Sequence, residues 1–150
     1  MYGRQRQKKD DYKAGDGFKE YTVQNVGIGK TGTYVVSITT RSARPDVELV
    51  ITAKNAVHAV LFKGVPSGGG YSAQAPIAGT ASAEEASAAF FENFFLSDYK
   101  QFISDIVRSS IKIERQADKS YHTTAVIAIL KDDLRHYLED NEIISRLAEH

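Results

Sequence analysis

The first residues whose types and spacing could do chemistry are the glycine-rich segment at 27–32. Its sequence, Gly-Ile-Gly-Lys-Thr-Gly, fits the dinucleotide fingerprint G-x-G-x-x-G and contains the Gly-Lys-Thr of a phosphate-binding loop. Both sites need the glycines to lead into a helix whose first amides hold phosphate. Here the segment leads into the strand-forming run 33–39, and Gln24 stands where a phosphate loop needs its first glycine. The segment therefore predicts a hairpin turn.

Histidines and carboxylates are the next candidates, for metal binding or for acid–base catalysis. Acidic pairs at 84–85, 132–133 and 139–140 fall where helix ends are predicted, and ordinary capping and dipole effects account for them. The histidines show neither an i, i+4 pair nor an acidic partner at the spacing of metal ligands. They are His58, His122, His136 and His150. A site that joins His122, His136 and Asp132 would need the fold to bring them together.

Nucleophilic catalysis has no support in the sequence. No serine lies in a G-x-S-x-G elbow, and Ser109 and Ser110 lie in a strand-like run without a nearby base. The chain has no cysteine, which excludes disulfides, thiolate catalysis and zinc sites built on sulfur. We therefore predict no catalytic, cofactor-binding or metal-binding residues, and a protein that is not an enzyme.

Aromatic residues concentrate in one short segment. Four of the seven phenylalanines lie within six residues: Phe90, Phe91, Phe94 and Phe95. On a helix these rings cover an arc of about 140°, an apolar stripe that must pack against a sheet or another helix. The cluster predicts hydrophobic core.

The elements that position these residues follow from apolar spacing. Alternating apolar residues predict two strands, over 18–26 and 33–39, joined by the glycine-rich turn. Pro45 and Asp46 begin a predicted helix over 46–62, which Gly64 ends. We expect the solvent face of this helix to carry Glu48, Lys54, Asn55 and His58.

The later elements are predicted in the same way. A capping box of Ser82 and Glu85 opens a helix to about Leu96, and four apolar residues then repeat at helical spacing, as a second short helix or as a continuation: Tyr99, Phe102, Ile103 and Ile106. Strands over 111–114 and 121–130 then pair across a turn, and a last helix over 132–140 ends at a left-handed Asn141. The fold class is α+β, with a four-stranded, mainly antiparallel sheet of two hairpins and two to three helices on one face. Residues 1–17 are a predicted flexible tail, and 18–150 a single domain.

The only long predicted loop, 66–81, contains three consecutive glycines and one aromatic residue that no core is expected to cover. Loops of this length are either mobile or functional. Both interpretations stay open. If the loop is functional, its candidate contact residues are Gly68, Gly69, Gly70, Tyr71 and Pro76.

Charge and hydropathy limit the class of partner. Basic and acidic residues are equal at 19 each, so no overall field attracts nucleic acid. No apolar run reaches the roughly 18 residues of a membrane span, and residues 1–9 do not form a signal peptide. We predict no nucleic-acid partner and no transmembrane segment. The oligomeric state is open.

Three segments carry a resemblance to known proteins. They are 55–64 (Asn-Ala-Val-His-Ala-Val-Leu-Phe-Lys-Gly), 90–95 (Phe-Phe-Glu-Asn-Phe-Phe) and 130–140 (Leu-Lys-Asp-Asp-Leu-Arg-His-Tyr-Leu-Glu-Asp). Together they resemble a group of uncharacterised bacterial cell-envelope proteins and, more distantly, small α+β modules of outer-membrane and flagellar accessory lipoproteins. The resemblance covers about residues 20 to 147. It consists of packing motifs without catalytic residues.

The resemblance implies a function that does not involve catalysis. We expect a non-enzymatic binding or assembly module that contacts another envelope protein through its sheet face, an edge strand or the 66–81 loop. The implied location is periplasmic or outer-membrane-associated if a signal upstream of Met1 was removed, and cytoplasmic otherwise. The alternative is a small hydrolase or ligand-binding enzyme whose site is assembled from distant segments.

Overall fold

A computed structural model describes residues 12–13, 17–18, 20–27, 29–45, 48–79 and 82–145. Two short strands, β1 (Tyr12–Lys13) and β2 (Gly17–Phe18), pair with each other. The main sheet has four antiparallel strands in the spatial order β3, β4, β6, β5. Their bounds are β3 (Glu20–Gly27), β4 (Thr33–Ser42), β5 (Ile103–Arg115) and β6 (Tyr121–Leu130). The predicted α+β class and antiparallel sheet are confirmed.

One face of the sheet carries the helical layer. A single cluster of buried residues joins strands β4 and β6 to the helices of this layer, which places one hydrophobic core between them. In chain order the layer consists of α1 (Glu48–His58), a π-helical turn (Ala59–Lys63), α2 (Ser82–Ala86), α3 (Ala88–Phe94), a 3-10 turn (Asp98–Phe102) and α4 (Lys131–Asp140).

The phenylalanine cluster fills this core, as predicted. Phe91, Phe94 and Phe95 are at most 2% exposed, and Phe90 is half-buried against them. The Phe94 ring centroid lies 6.0 Å from that of Phe102 and 5.8 Å from that of Tyr137 in α4. These rings therefore join the helical elements to one another.

The glycine-rich segment is a turn between β3 and β4. The backbone amide and the hydroxyl of Thr33 both donate to the Lys30 carbonyl, at 3.0 and 2.6 Å. Gly32 has a φ of 85°, a left-handed conformation that favours glycine. The segment leads into a strand, as the sequence predicts, while Ile28 lies outside the described residues.

The prediction that Ile103 and Ile106 belong to a helix is wrong, because both lie in β5. Ile103 pairs with Ile129, and Ile106 with Ile127, although the spacing is three residues on β5 and two on β6. A β-bulge between Ile103 and Asp105 supplies the extra residue. It turns both isoleucines toward the core at a spacing that imitates a helix.

The predicted solvent face of the first helix is also wrong. Lys54 is 8% exposed, and Asn55 and His58 are fully buried. The helix has the sheet on one side and, on the other, Phe18 and the segment around Glu84, which both bond to it. Residues 51–58 of this helix are all buried, while Val50 near its start is 56% exposed, so the polar residues Asn55 and His58 bond inside the protein. The side chain of Glu48 lies outside the described residues.

Smaller differences concern element ends. The predicted helix from Ser82 to Leu96 is divided at Ser87, where φ is −120° and ψ is 40°. The left-handed residue after α4 is Glu142, with a φ of 59°, rather than Asn141. Most of the predicted tail, 1–17, lies outside the described residues, and its flexibility stays a prediction.

Candidate functional site

A buried chain of polar side chains links three elements of the fold. The Tyr21 hydroxyl of β3 lies 2.6 Å from Nδ1 of His58, and Nε2 of His58 lies 3.0 Å from Oε2 of Glu84 in α2. The exposed fractions are 7%, 0% and 1%. We call this set the buried relay. Its two ring-nitrogen contacts fix the imidazole between a strand and a helix.

The buried relay has the residue types of acid–base catalysis. With Glu84 ionised, Nε2–H donates to the carboxylate and Nδ1 accepts the Tyr21 hydroxyl hydrogen. Burial, reinforced by the negative charge of Glu84, raises the pKa of Tyr21 well above its usual value. A neutral, deeply buried phenol has no path to a substrate. The buried relay therefore stabilises the fold.

The turn that follows His58 fixes the segment beyond it. The amide of Gly64 donates to the Ala59 carbonyl at 2.7 Å, a bond that spans five residues and defines the π turn. The next two carbonyls, of Val60 and Leu61, accept the amides of Ile77 and Ala78 at 3.1 and 2.9 Å. The chain from 65 to 76 therefore lies between the π turn and two residues that bond to it, Ile77 and Ala78.

Within this segment the triglycine loop forms a small hairpin. Gly68 and Tyr71 exchange two backbone hydrogen bonds, of 3.1 and 2.8 Å. Gly69 and Gly70 between them have φ values of 57° and 85°. Positive φ at both central positions is the requirement of a type I′ turn, which explains the glycines. A second bridge pairs Val65 with Gln74.

The hairpin packs against the end of β3. The amide nitrogen of the Asn25 side chain donates to the Ser72 carbonyl at 3.0 Å, and the Tyr34 hydroxyl donates to Oε1 of Gln74 at 2.9 Å. The Tyr71 ring lies over Gly27, where an added Cβ would be 2.9 Å from Cζ of that ring. Tyr71 is still 45% exposed, so its ring forms a partly exposed surface beside β3.

The structure brings four of the five predicted contact residues together at the hairpin tip. Gly68, Gly69, Gly70 and Tyr71 are all exposed there. Pro76 is half-buried at the hairpin base, where an added Cβ on Gly64 would lie 3.0 Å from its Cδ. Whether this loop contacts a partner stays a prediction.

The two edge strands of the sheet differ in how well they are protected against pairing with another strand. β5 is irregular between Ile103 and Asp105 and again between Val107 and Lys112, and it carries several charged residues. β3 pairs one-to-one with β4 from Glu20 to Asn25 and has no charged residue from 21 to 27. Bulges and charges are the devices with which proteins block edge pairing. Only β5 has both.

A cation lies beside β3. The Nζ atom of Lys63, the last residue of the π turn, is 4.2 Å from the centre of the Tyr21 ring. Lys63 is exposed, and no described carboxylate lies within ion-pair distance of it. We define the β3 edge as residues 21–27 with Lys63 and Tyr71. Sequence reasoning missed it, because strand order decides which strand is an edge.

The other candidate residues are dispersed. His122 lies in β6 opposite Arg41 and Glu114, whereas Asp132 follows the far end of this 10-residue strand, roughly 30 Å away at the usual rise per residue. His136 lies in α4, and His150 lies outside the described residues. No group of three metal-binding side chains converges among the described residues.

Ser110 has a structural role at the second irregularity of β5. Its hydroxyl donates to the Val107 carbonyl at 2.5 Å and accepts the Val126 amide at 2.8 Å. The hydroxyl thus replaces a backbone group where the ladder is interrupted. The hydroxyl therefore makes two hydrogen bonds to the backbone, one as donor and one as acceptor.

No family model matches the chain, and comparisons with curated proteins and with solved structures give no match. The described helices include none that is long and apolar enough to cross a membrane. The resemblance to cell-envelope proteins stays a prediction. The functional argument therefore starts from the geometry of the β3 edge.

Proposed function

We propose that this protein is a non-enzymatic binding module that adds an extended polypeptide segment to its sheet along β3. One observation carries the proposal: β3 is an edge strand that pairs one-to-one with β4 from Glu20 to Asn25, has a single register shift before Gly27 and has no charge from 21 to 27, while the opposite edge strand β5 is interrupted twice and carries several charges. An unprotected edge presents a row of unpaired amides and carbonyls, which is a template for another strand. Peptide-binding domains use such edges for strand addition.

The surroundings of β3 supply side-chain contacts to the added segment. Thr22, Gln24 and Val26 are exposed on one side of the strand. The Tyr71 ring lies beside its end and offers an apolar face with a polar tip. Backbone bonds along the edge give affinity, and these side chains select the sequence.

The buried relay supports a function without catalysis. A general acid or base must come within hydrogen-bond reach of its substrate. Tyr21, His58 and Glu84 are at most 7% exposed, so a bound segment at the β3 edge would not reach their polar atoms. In this proposal the partner is another envelope protein, at a periplasmic or outer-membrane location, as the resemblance implies.

Peptide selection with amide mapping tests the proposal. The purified protein is panned against a displayed library of linear peptides of about 12 residues, long enough to span a typical strand. The selected peptides are then mapped by hydrogen exchange. We expect new protection of the amides over 21–25 and none along β5. If no peptide is enriched, or if protection falls elsewhere, the proposal is wrong.

A pair of variants sharpens the test. Thr22→Lys with Gln24→Lys gives β3 the lysines that natural edges carry and should reduce binding of the selected peptides at least about tenfold. Ser109→Lys adds a lysine at an exposed position of β5 and should leave binding unchanged. Equal losses in both variants would contradict binding at β3.

A further inference from the structure

The position of Lys63 indicates which segments the β3 edge would accept, and this inference rests on the proposed function. Two features hold its ammonium group in place. Lys63 is the last residue of the π turn, and its Nζ atom lies over the Tyr21 ring, whose hydroxyl is fixed by His58. A cation over an aromatic face is attracted by the ring quadrupole. The charge is therefore positioned before any partner binds.

This charge lies on the helical side of the sheet. Tyr21 points into the helical layer, because its side chain is 7% exposed and bonds to His58 there. Alternate side chains of an added strand point to the same side. The residue paired with Tyr21 would have its Cβ about 5 Å from that of Tyr21, and a diagonal neighbour about 7 Å. Either position brings an aspartate or glutamate within reach of Lys63.

The other face of the sheet, beside Glu20, carries two carboxylates and one guanidinium group. The carboxylate of Glu20 is 77% exposed and lies 3.7 Å from Nη1 of Arg41. Nη2 of Arg41 bonds to Asp118 at 2.7 Å. Hydrogen bonds from Ser120 and from Arg41 hold the pKa of Asp118 well below its usual range, so this carboxylate is ionised. Two carboxylates thus surround one guanidinium, and a further acidic group there is disfavoured.

We infer that the partner is an extended segment with an acidic side chain facing the helical layer beside Lys63 and Tyr21. The residues next to it in the segment, which face Glu20 and Arg41, are uncharged or basic. Lys63, an exposed cation at the β3 edge, selects the acidic residue, and the acidic cluster on the other side excludes acidic neighbours.

Parallel selections test this inference. The same library of linear peptides is panned on the wild type, on Lys63→Glu and on Lys100→Glu, which changes an exposed lysine in the 3-10 turn. We expect the wild type and Lys100→Glu to enrich peptides with one acidic position, and Lys63→Glu to enrich a basic residue there. Peptides selected on the wild type should bind Lys63→Glu at least about tenfold more weakly.

Two further measurements separate charge from packing. Lys63→Met keeps the stem over the Tyr21 ring and removes the charge, so it should weaken the acidic peptides and abolish the salt dependence of their binding. Peptides that protect the amides over 21–25 without an acidic preference would overturn this inference and leave strand addition standing. The absence of any peptide at β3 would overturn both.

Discussion

The hydroxyl oxygen of Tyr21 lies 2.6 Å from Nδ1 of His58, and both side chains are buried. A hydrogen bond inside the core therefore joins the edge strand β3 to the last residue of α1. The same imidazole bonds to Glu84, so the segment 82–86 is tied to the strand as well. The position of β3, on which the proposed function depends, is set by this chain of bonds.

Alkaline pH should destabilise the protein through Tyr21. Burial raises the pKa of Tyr21 in the folded state, whereas the unfolded tyrosine titrates near pH 10. Above about pH 10 the unfolded state loses this proton first, so the free energy of unfolding falls as pH rises. Urea denaturation across this range should show a smaller fall for Tyr21→Phe than for the wild type. Tyr71→Phe, at an exposed ring, serves as the control and should keep the wild-type slope.

Glu84 should contribute to stability far more than its neighbour Glu85. Glu84→Ala removes the partner of a buried imidazole and should lower the free energy of unfolding by about 3 kcal/mol. Glu84→Gln keeps an acceptor for Nε2–H and should cost less. Glu85 is exposed, and Glu85→Ala should stay within about 0.5 kcal/mol of the wild type. An equal loss of unfolding free energy in the two alanine variants would contradict a stabilising role of the buried relay.

Thr123→Val should stabilise the protein. The Thr123 hydroxyl is buried without a hydrogen-bond partner among the described residues, and valine has the same shape. Removing it should raise the free energy of unfolding by about 1 kcal/mol. Its cross-strand neighbour Thr40 is a matched control, because its hydroxyl accepts from Thr52 and Asn55 at 3.0 and 3.1 Å. Thr40→Val should destabilise, and a fall in stability for both variants would contradict the assignment.

Gly27→Ala should displace the Tyr71 ring. The new methyl group would lie 2.9 Å from Cζ of Tyr71, at a residue whose φ is 137°. The clash and the backbone strain together should cost about 2 kcal/mol, measured by urea denaturation, and should shift the Tyr71 ring signals in NMR spectra. Adding Tyr71→Ala should recover only the part due to the clash. Gly68→Ala places its Cβ in open space and should leave the Tyr71 signals unchanged.

Local patterns predicted most of the elements. Alternating apolar residues mark β4 and β6, and the phenylalanine stripe marks a helix whose rings are buried. Glycines between two strand-forming runs identified the turn before β4. Each of these features depends on residues close together in the chain, where spacing and backbone preference act directly.

The prediction that Ile103 and Ile106 are helical was wrong because their spacing in the sequence fits two structures. A spacing of three residues fits one face of a helix, and it also fits a strand with one bulge. Pairing with Ile129 and Ile127 on β6 decided between them. The bulge is visible only once the partner strand is known.

Composition and periodicity were enough to establish the α+β class, the antiparallel hairpins, the aromatic core and the absence of cysteine chemistry, because these depend on residue type and short-range spacing. Tertiary structure alone decided that residues 51–58 of α1 are buried, which turned His58 and Asn55 from predicted surface residues into core partners of Glu84 and Phe18. It also decided that β3 is an edge and that Lys63 lies beside it. Burial and strand order depend on residues far apart in the chain, and no short-range pattern contains that information.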